Sequence, residues 1–334
     1  MPHDPVFRLR QAVRATLDAE QSPPATLLVA CSGGADSLAL LLGVIAERDG
    51  GRGEAPELRV VGVTVDHDLQ EGSAAQAQRV VAQMATLGVD ETVATRVRVE
   101  GAGQGVEAAA REARYAVLEQ VAEHVGADLV LLGHTLDDQA ETVLLGLARG
   151  SGGRSLGGMR RGFGRFRRPL LQLRRADTEA ACAQAGVEPW QDPHNADPRF
   201  LRPRVRHTVL PTLERELGPG VAETLARTGW QLQDDAEALE ALAREAAERV
   251  AHPGGGLDVV ALAALHRAVR TRVLHAAALA AGCPPSELGA VHVAALEAQV
   301  HNTTLLPREV QLPGHVRAVR AGDHLRFERA PVAR

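Results

Sequence analysis

Ser32-Gly33-Gly34-Ala35-Asp36-Ser37 is the stretch whose residue types most directly suggest chemistry. Two glycines let a backbone turn tightly and aim several N–H groups at one anion. A helix opening at Ser37 adds its N-terminal dipole to that field. Asp36 repels a bare phosphate, so its presence makes sense where it holds Mg²⁺ against a polyphosphate. A second constellation is Gly133-His134-Thr135-Leu136-Asp137-Asp138-Gln139-Ala140-Glu141-Thr142. Asp137, Asp138 and Glu141 suit the start of a helix, and Asp138 and Glu141 share a face at three-residue spacing. Such carboxylates can bind a cationic substrate, bind a metal, or take a proton from an attacking amine.

Further along, Arg111 and Arg114 share a helix face, where a guanidinium fork suits phosphate oxygens. Eight arginines and no acid occur between Ser151 and Ala176, among them Arg160, Arg161, Arg165, Arg167 and Arg168. Arg199, Arg202, Arg204 and Arg206 follow. In a chain of net charge −5, that concentration points to a local polyanion contact. By contrast, Thr212–Val250 carries nine acids and four arginines.

These groups need elements to hold them. Thr26–Cys31, Leu58–Val65, Thr92–Val99 and Asp128–Gly133 read as apolar strands. Between them fall helical patterns from Ser37, over Ser73–Leu87, over Val106 to about His124, and from about Asp137 to Arg149. Apolar strands alternating with helices predict a parallel sheet covered on both faces. Ligands of such sheets lie at the carboxyl ends of the strands, at a switch point. Val221–Val250 reads as one long helix, and the segment after it as a mostly helical part ending in short strands. The expected division is an α/β domain over 1–215, a connecting helix over 216–252 and a small C-terminal domain over 253–334.

Composition narrows the chemistry. All 37 basic residues are arginine, which excludes a lysine Schiff base and a Walker-type lysine loop. Cys31, Cys182 and Cys283 form no CxxC pair, which argues against a zinc ribbon, a cysteine-held cluster or a disulfide framework. The N-terminus lacks a signal-peptide pattern, and no apolar run approaches membrane-spanning length, so a cytoplasmic protein is expected. Oligomeric state is not encoded legibly, and a homodimer is compatible with the chain.

Ser-Gly-Gly-x-Asp-Ser after an apolar strand resembles the PP-loop of N-type ATP pyrophosphatases. The further blocks are Val65-Asp66-His67-Asp68-Leu69, Glu107–Tyr115, Gly133–Thr142, Arg149-Gly150-Ser151-Gly152, Arg168-Pro169-Leu170-Leu171 and Asp192–Phe200, running into Arg206-His207 and Leu210-Pro211. Their order and spacing are similar to the tRNA(Ile)-lysidine synthetases over roughly Leu27–Pro211. That resemblance implies a two-step reaction. ATP adenylates the C2 carbonyl oxygen of the wobble cytidine in tRNA(Ile) with anticodon CAU; free lysine then displaces AMP. It implies ATP contacts from Ser32–Ser37, Asp66, His67, Arg111 and Arg114, with Mg²⁺ on Asp36. Catalytic roles fall to Asp36, His134, Asp137, Asp138 and Glu141, and tRNA contacts to the arginines of 160–175, Arg160, Arg161, Arg165, Arg167 and Arg168 foremost, to those of 199–206 and to the small domain over 253–334. Asp68, Thr135 and Pro203 depart from the family's usual Gly, His and Asn. Competing readings are a PP-loop tRNA thiolase, an amidating synthetase and a non-enzymatic ATP-binding regulator. The first commonly needs paired cysteines and the second an ammonia source. The third has no use for the acidic cluster.

Overall fold

The computed structural model describes residues 4–51, 57–66, 72–97, 106–150, 156–192, 197–301 and 309–329, with backbone only for 106–110. The chain divides into two compact units, Met1–Gln233 and Asp234–Arg334.

The first unit is built on a sheet whose strands are β1 (Thr26–Ala30), β2 (Arg59–Asp66), β3 (Glu91–Arg96), β4 (Leu129–Leu132), β5 (Gly162–Phe163) and β6 (Phe166–Arg167). Their order is β3-β2-β1-β4-β6-β5. All neighbours are parallel except the β5–β6 pair. The helices in sequence are α1 (Pro5–Asp18), α2 (Ala35–Asp49), α3 (Ser73–Leu87), α4 (Val106–Val125) and α5 (Leu136–Arg149). Alternation along the strands explains the layers. Leu27, Val29, Leu129 and Leu131 pack with Leu9, Leu38, Leu41 and Met84. Their neighbours Leu28, Val130 and Leu132 turn the other way, onto Leu118, Ala122 and Phe166. Both faces are covered, as the continuous apolar runs require. The hairpin of β5 and β6 has no counterpart among the expected elements. Strands of two residues carry no detectable period, and they lie inside the arginine-rich stretch.

The order also locates the switch point. The chain leaves β1 toward β2 on one side, and β4 pairs with β1 on the other. The loops after β1 and β4 therefore meet at the same sheet edge. Gly133 permits that meeting: a Cβ there would come within 2.8 Å of the Asp36 carbonyl oxygen.

After β6 come a 3₁₀ turn (Pro169–Gln172), α6 (Arg175–Gln184) and α7 (Leu201–Arg204). A π-helical turn (Val205–Val209) then leads into α8 (Leu210–Leu217). The long helix α9 (Val221–Arg249) begins in the first unit and continues into the second.

The second unit contains α10 (Val259–Ala264), α11 (Arg267–Ala280) and α12 (Ala290–His301). Its antiparallel sheet has the order β7-β10-β9-β8, formed by Leu257–Asp258, His324–Arg329, Val316–Ala321 and Glu309–Leu312. Its own core gathers Leu262, Val273, Leu274, Leu296, Val316 and Leu325. Among the described residues, no helix is long and apolar enough to cross a membrane.

Candidate active site at the β1–β4 switch point

The loop after β1 is shaped by small residues. Gly33 takes φ +83°, and a Cβ there would lie 2.6 Å from Val80, so only glycine fits. Its carbonyl accepts from Trp190 N at 2.8 Å, which ties the loop to the segment after α6. Ser37 donates its hydroxyl to Gly34 O (2.9 Å) and accepts from Ser32 N (3.1 Å). Gly34 occupies the N-cap of α2 without a side-chain cap, so the first-turn N–H groups of Ala35 and Asp36 point out of the helix end. Cys31 is buried before this loop, and burial pushes its thiol up, away from thiolate chemistry.

Asp36 receives Thr178 Oγ1 at 2.5 Å and Arg175 Nε at 3.2 Å, both from α6. Burial pushes its carboxyl above the usual range, against the pull of Arg175.

The segment after β4 carries the other groups. Thr135 is the N-cap of α5, and its amide and hydroxyl both donate to Asp138 Oδ2 (2.9 and 3.1 Å). Asp138 Oδ1 accepts from Arg175 (3.0 Å) and Arg206 (3.1 Å). Burial opposes the charge of Asp138, but Arg175, Arg202 and the Thr135 amide together hold its carboxyl below the ordinary range. Glu141, with no exposed surface, accepts from Arg202 Nε (3.0 Å) and Arg206 Nε (2.6 Å). Asp137 faces α6: it caps that helix through Arg175 N (2.7 Å) and pairs with Arg174 (3.1 Å).

On the far side of β4, His134 Nδ1 accepts from Arg168 Nε at 3.3 Å. Arginine only donates, so the proton of the neutral ring sits on Nε2. Burial above all holds the imidazole neutral, down to about 3; Asp138 pulls the other way, and Arg168, Arg114 and Arg111 add to the depression. Arg168 and Arg111 also donate to Tyr115 OH (3.0 and 3.3 Å). Among the described residues no carboxylate pairs with Arg111, Arg114 or Arg168. Burial, and then neighbouring guanidiniums, push Arg114 and Arg168 below their ordinary values.

Asp66 is buried at the end of β2, with Arg96 at 3.3 Å. His67 lies outside the described residues.

The arginines expected to form one basic surface are sorted by the fold. Arg160, Arg161, Arg199 and Arg204 are exposed. Arg199 pairs locally with Asp197, and Arg161 stacks over Trp230 at 5.4 Å. Arg165 and Arg167 are half-buried, on Glu119 (2.8 Å) and Glu20 (2.5 Å). Arg168 is not on that surface. It is 6% exposed, and besides His134 and Tyr115 it donates to Arg160 O at 2.6 Å, which closes the β5–β6 hairpin. Arg202 and Arg206 likewise turn inward to Glu141, because α7 and the π turn run past the start of α5. Arg175, read with the arginine run as part of the RNA-facing surface, turns instead onto Asp36, Asp138 and Glu141; sequence reasoning has no signal for Thr178, the other residue on Asp36.

Comparison with known proteins gives the family. The PP-loop domain family matches residues 8–213, and the TilS substrate binding domain matches residues 257–326. The tRNA(Ile)-lysidine synthase of Thermobifida fusca is 53% identical over 89% of this chain and 89% of its own. That of Streptomyces coelicolor is 50% identical over 90% and 84%. That of Salinispora tropica is 49% identical over 96% of each. Among solved structures, the U34-tRNA thiolase NcsA from Methanococcus maripaludis superimposes with a TM-score of 0.55 at 18% identity. It covers 69% of this chain and 80% of its own, a likeness of fold. With two family models in tandem and relatives near half identical along most of their length, the chain belongs to the tRNA(Ile)-lysidine synthase family.

Proposed function

We propose that this chain is an ATP-dependent ligase that converts the wobble cytidine of tRNA(Ile) with anticodon CAU to lysidine, in the cytoplasm. The observation that carries the reading is the meeting of the Ser32–Ser37 loop with Asp137–Glu141 at one sheet edge, Gly133 packed on the Asp36 backbone. The cytidine O2 attacks the α-phosphorus of ATP and pyrophosphate leaves. The amine of free lysine then adds at C2, loses a proton, and expels AMP, which carries away O2.

The residues divide this work. The amides and hydroxyls of Ser32–Ser37 bind phosphate oxygens. Arg111 and Arg114 add guanidiniums on the other side of β4. His134 holds a proton at Nε2 and offers it as a hydrogen bond to the reacting oxygen. The carboxylates of α5 match the positive charge of lysine and provide a proton acceptor. Asp36 fits a divalent cation: it is a carboxylate beside the phosphate-binding donors of the loop, and its side-chain hydrogen bonds among the described residues come from Thr178 and Arg175. Mg²⁺ there would neutralise the polyphosphate. Arg160, Arg161, Arg199 and Arg204 supply outward charge for the RNA backbone.

The deciding measurement is pyrophosphate release with purified tRNA, together with the mass of the nucleoside product. Release that needs tRNA(Ile) and ATP, and a lysine-sized mass gain that needs lysine as well, are expected. No release would overturn the reading in favour of a regulator, release independent of RNA in favour of an amidating synthetase, and sulfur in the product in favour of a thiolase.

A further inference from the structure

Arg175 joins three carboxylates that the sequence separates. Its Nε lies 3.2 Å from Asp36 Oδ2, one terminal nitrogen 3.0 Å from Asp138 Oδ1 and the other 3.5 Å from Glu141 Oε1. It is the first residue of α6, and its amide is anchored on Asp137, so the base of the side chain is fixed. One guanidinium thus links the phosphate loop after β1 to the acidic face of α5.

The three carboxylates depend on it unequally. Glu141 keeps Arg202 and Arg206, and Asp138 keeps Arg206 and the Thr135 donors. Among the described residues Asp36 has no cationic partner besides Arg175. Yet Arg175 uses Oδ2 and Thr178 uses Oδ1, so both carboxylate oxygens are engaged. A divalent cation that approaches Asp36 meets a guanidinium on the same oxygen, and two cations do not share one oxygen at contact distance without strong repulsion. If Arg175 lets go of Asp36 it remains held by Asp138 and Glu141.

We infer that Arg175 is a positioning residue that competes with the divalent cation for Asp36, and that cation binding moves its guanidinium wholly onto Asp138 and Glu141. Loading of the phosphate loop thereby changes the charge balance of the acidic face that meets the amine substrate. The idea rests on the reading of Asp36 as the metal-facing carboxylate.

Mn²⁺ alone, titrated against the full-length protein and followed by its electron paramagnetic resonance, tests it. Arg175→Met should bind Mn²⁺ at least about tenfold more tightly than the unaltered chain, the gain expected when a tenfold-favoured competing pair is removed. Arg175→Lys keeps a charge but loses the fork, and should fall between. Adding Asp36→Asn should cancel the gain. Arg202→Met removes a cation of the same cluster that does not touch Asp36, and should change affinity by less than about threefold. Unchanged or undetectable Mn²⁺ binding in Arg175→Met overturns the inference. So does a gain that survives Asp36→Asn, or an equal gain in Arg202→Met. Trp190, bonded through its amide to Gly33, reports by its fluorescence whether the loop is intact. If Arg175→Met does not fold, Arg175→Lys decides by the same criteria, an unchanged affinity overturning the inference. No RNA, ATP or lysine enters the assay, so its outcome is separable from that of the lysidine reaction.

Discussion

The two sides of the β4 carboxyl end use the same residue type to opposite effect. On one side Arg111, Arg114 and Arg168 surround His134 and Tyr115, with no described carboxylate among their partners. On the other, Arg175, Arg202 and Arg206 are spent on Asp36, Asp138 and Glu141. The first side holds uncompensated positive charge in a partly dry setting, where an anion is attracted. The second is nearly balanced, so a cation can enter it only by rearranging pairs already made. Under the proposed reaction, phosphate chemistry belongs to the first side and to the β1 loop, and amine chemistry to the second. Substitutions can break this contrast one side at a time.

The largest effect is expected at Asp36, which joins the β1 loop to the balanced side through Arg175. Asp36→Asn keeps the shape and the Thr178 hydrogen bond but removes the charge. Pyrophosphate release should fall by about 10²–10³-fold, the scale of removing one preorganised electrostatic interaction with the reacting phosphate. Binding of tRNA, measured by filter retention, should stay within about twofold. A variant with normal release would remove Asp36 from the chemistry.

Glu141→Gln comes next and attacks the balanced side. It leaves Arg202 without its buried counter-charge and Arg206 with Asp138 alone. The cost to stability is about 3 kcal/mol, the low end for breaking a buried pair, because both arginines keep part of their surface in water. Chemical denaturation measures it. In the reaction, adenylated tRNA should accumulate while lysidine formation falls. An equal fall in adenylation would assign the cluster to the cytidine or the metal instead.

His134 tests the positive side through pH. Its folded-state value, about 3, lies below the value of about 6.5 for an unfolded chain. Between these values the unfolded chain binds a proton that the folded one refuses, so stability falls as pH drops through that window. Asp138, held low, acts in the same direction further into acid. Asp36, held high, acts in the opposite direction, favouring the fold as pH falls below its raised value. His134→Asn should flatten the loss of melting temperature between pH 6.5 and 4. An unchanged slope would mean that His134 titrates normally and that the nest is more hydrated than its geometry indicates.

What the sequence disclosed follows from which interactions are local. The parallel sheet was legible because apolar runs and helical periods alternate over 26–149, and observed strands end within a few residues of the expected ones. The Ser32–Ser37 loop was legible as a motif because its geometry is made by neighbours in the chain. The fate of the arginines was not. Arg202 meets Glu141 across 61 positions, and Arg175 meets Asp36 across 139. Nothing in the composition around an arginine says whether it faces a phosphate, a carboxylate or a histidine. Arg168 shows the cost of reading a charge run by density: it lies in the middle of the run and is its most buried described member.

That sorting yields the smallest expected effect. Of the run and its continuation, Arg160, Arg161 and Arg204 are exposed, and no described carboxylate pairs with them. Neutralising these three should weaken tRNA binding and reduce the slope of log affinity against log salt by roughly 0.7–0.9 for each phosphate that is no longer neutralised. Arg165 and Arg167 already face Glu119 and Glu20, so their neutralisation should leave the slope nearly unchanged and show instead as a modest loss of thermal stability. Binding measured across a salt series for both variant sets compares the two directly. If the paired arginines flatten the slope as much as the exposed ones, their ion pairs open on RNA binding. The division between inward and outward charge would then describe the protein alone and not its complex.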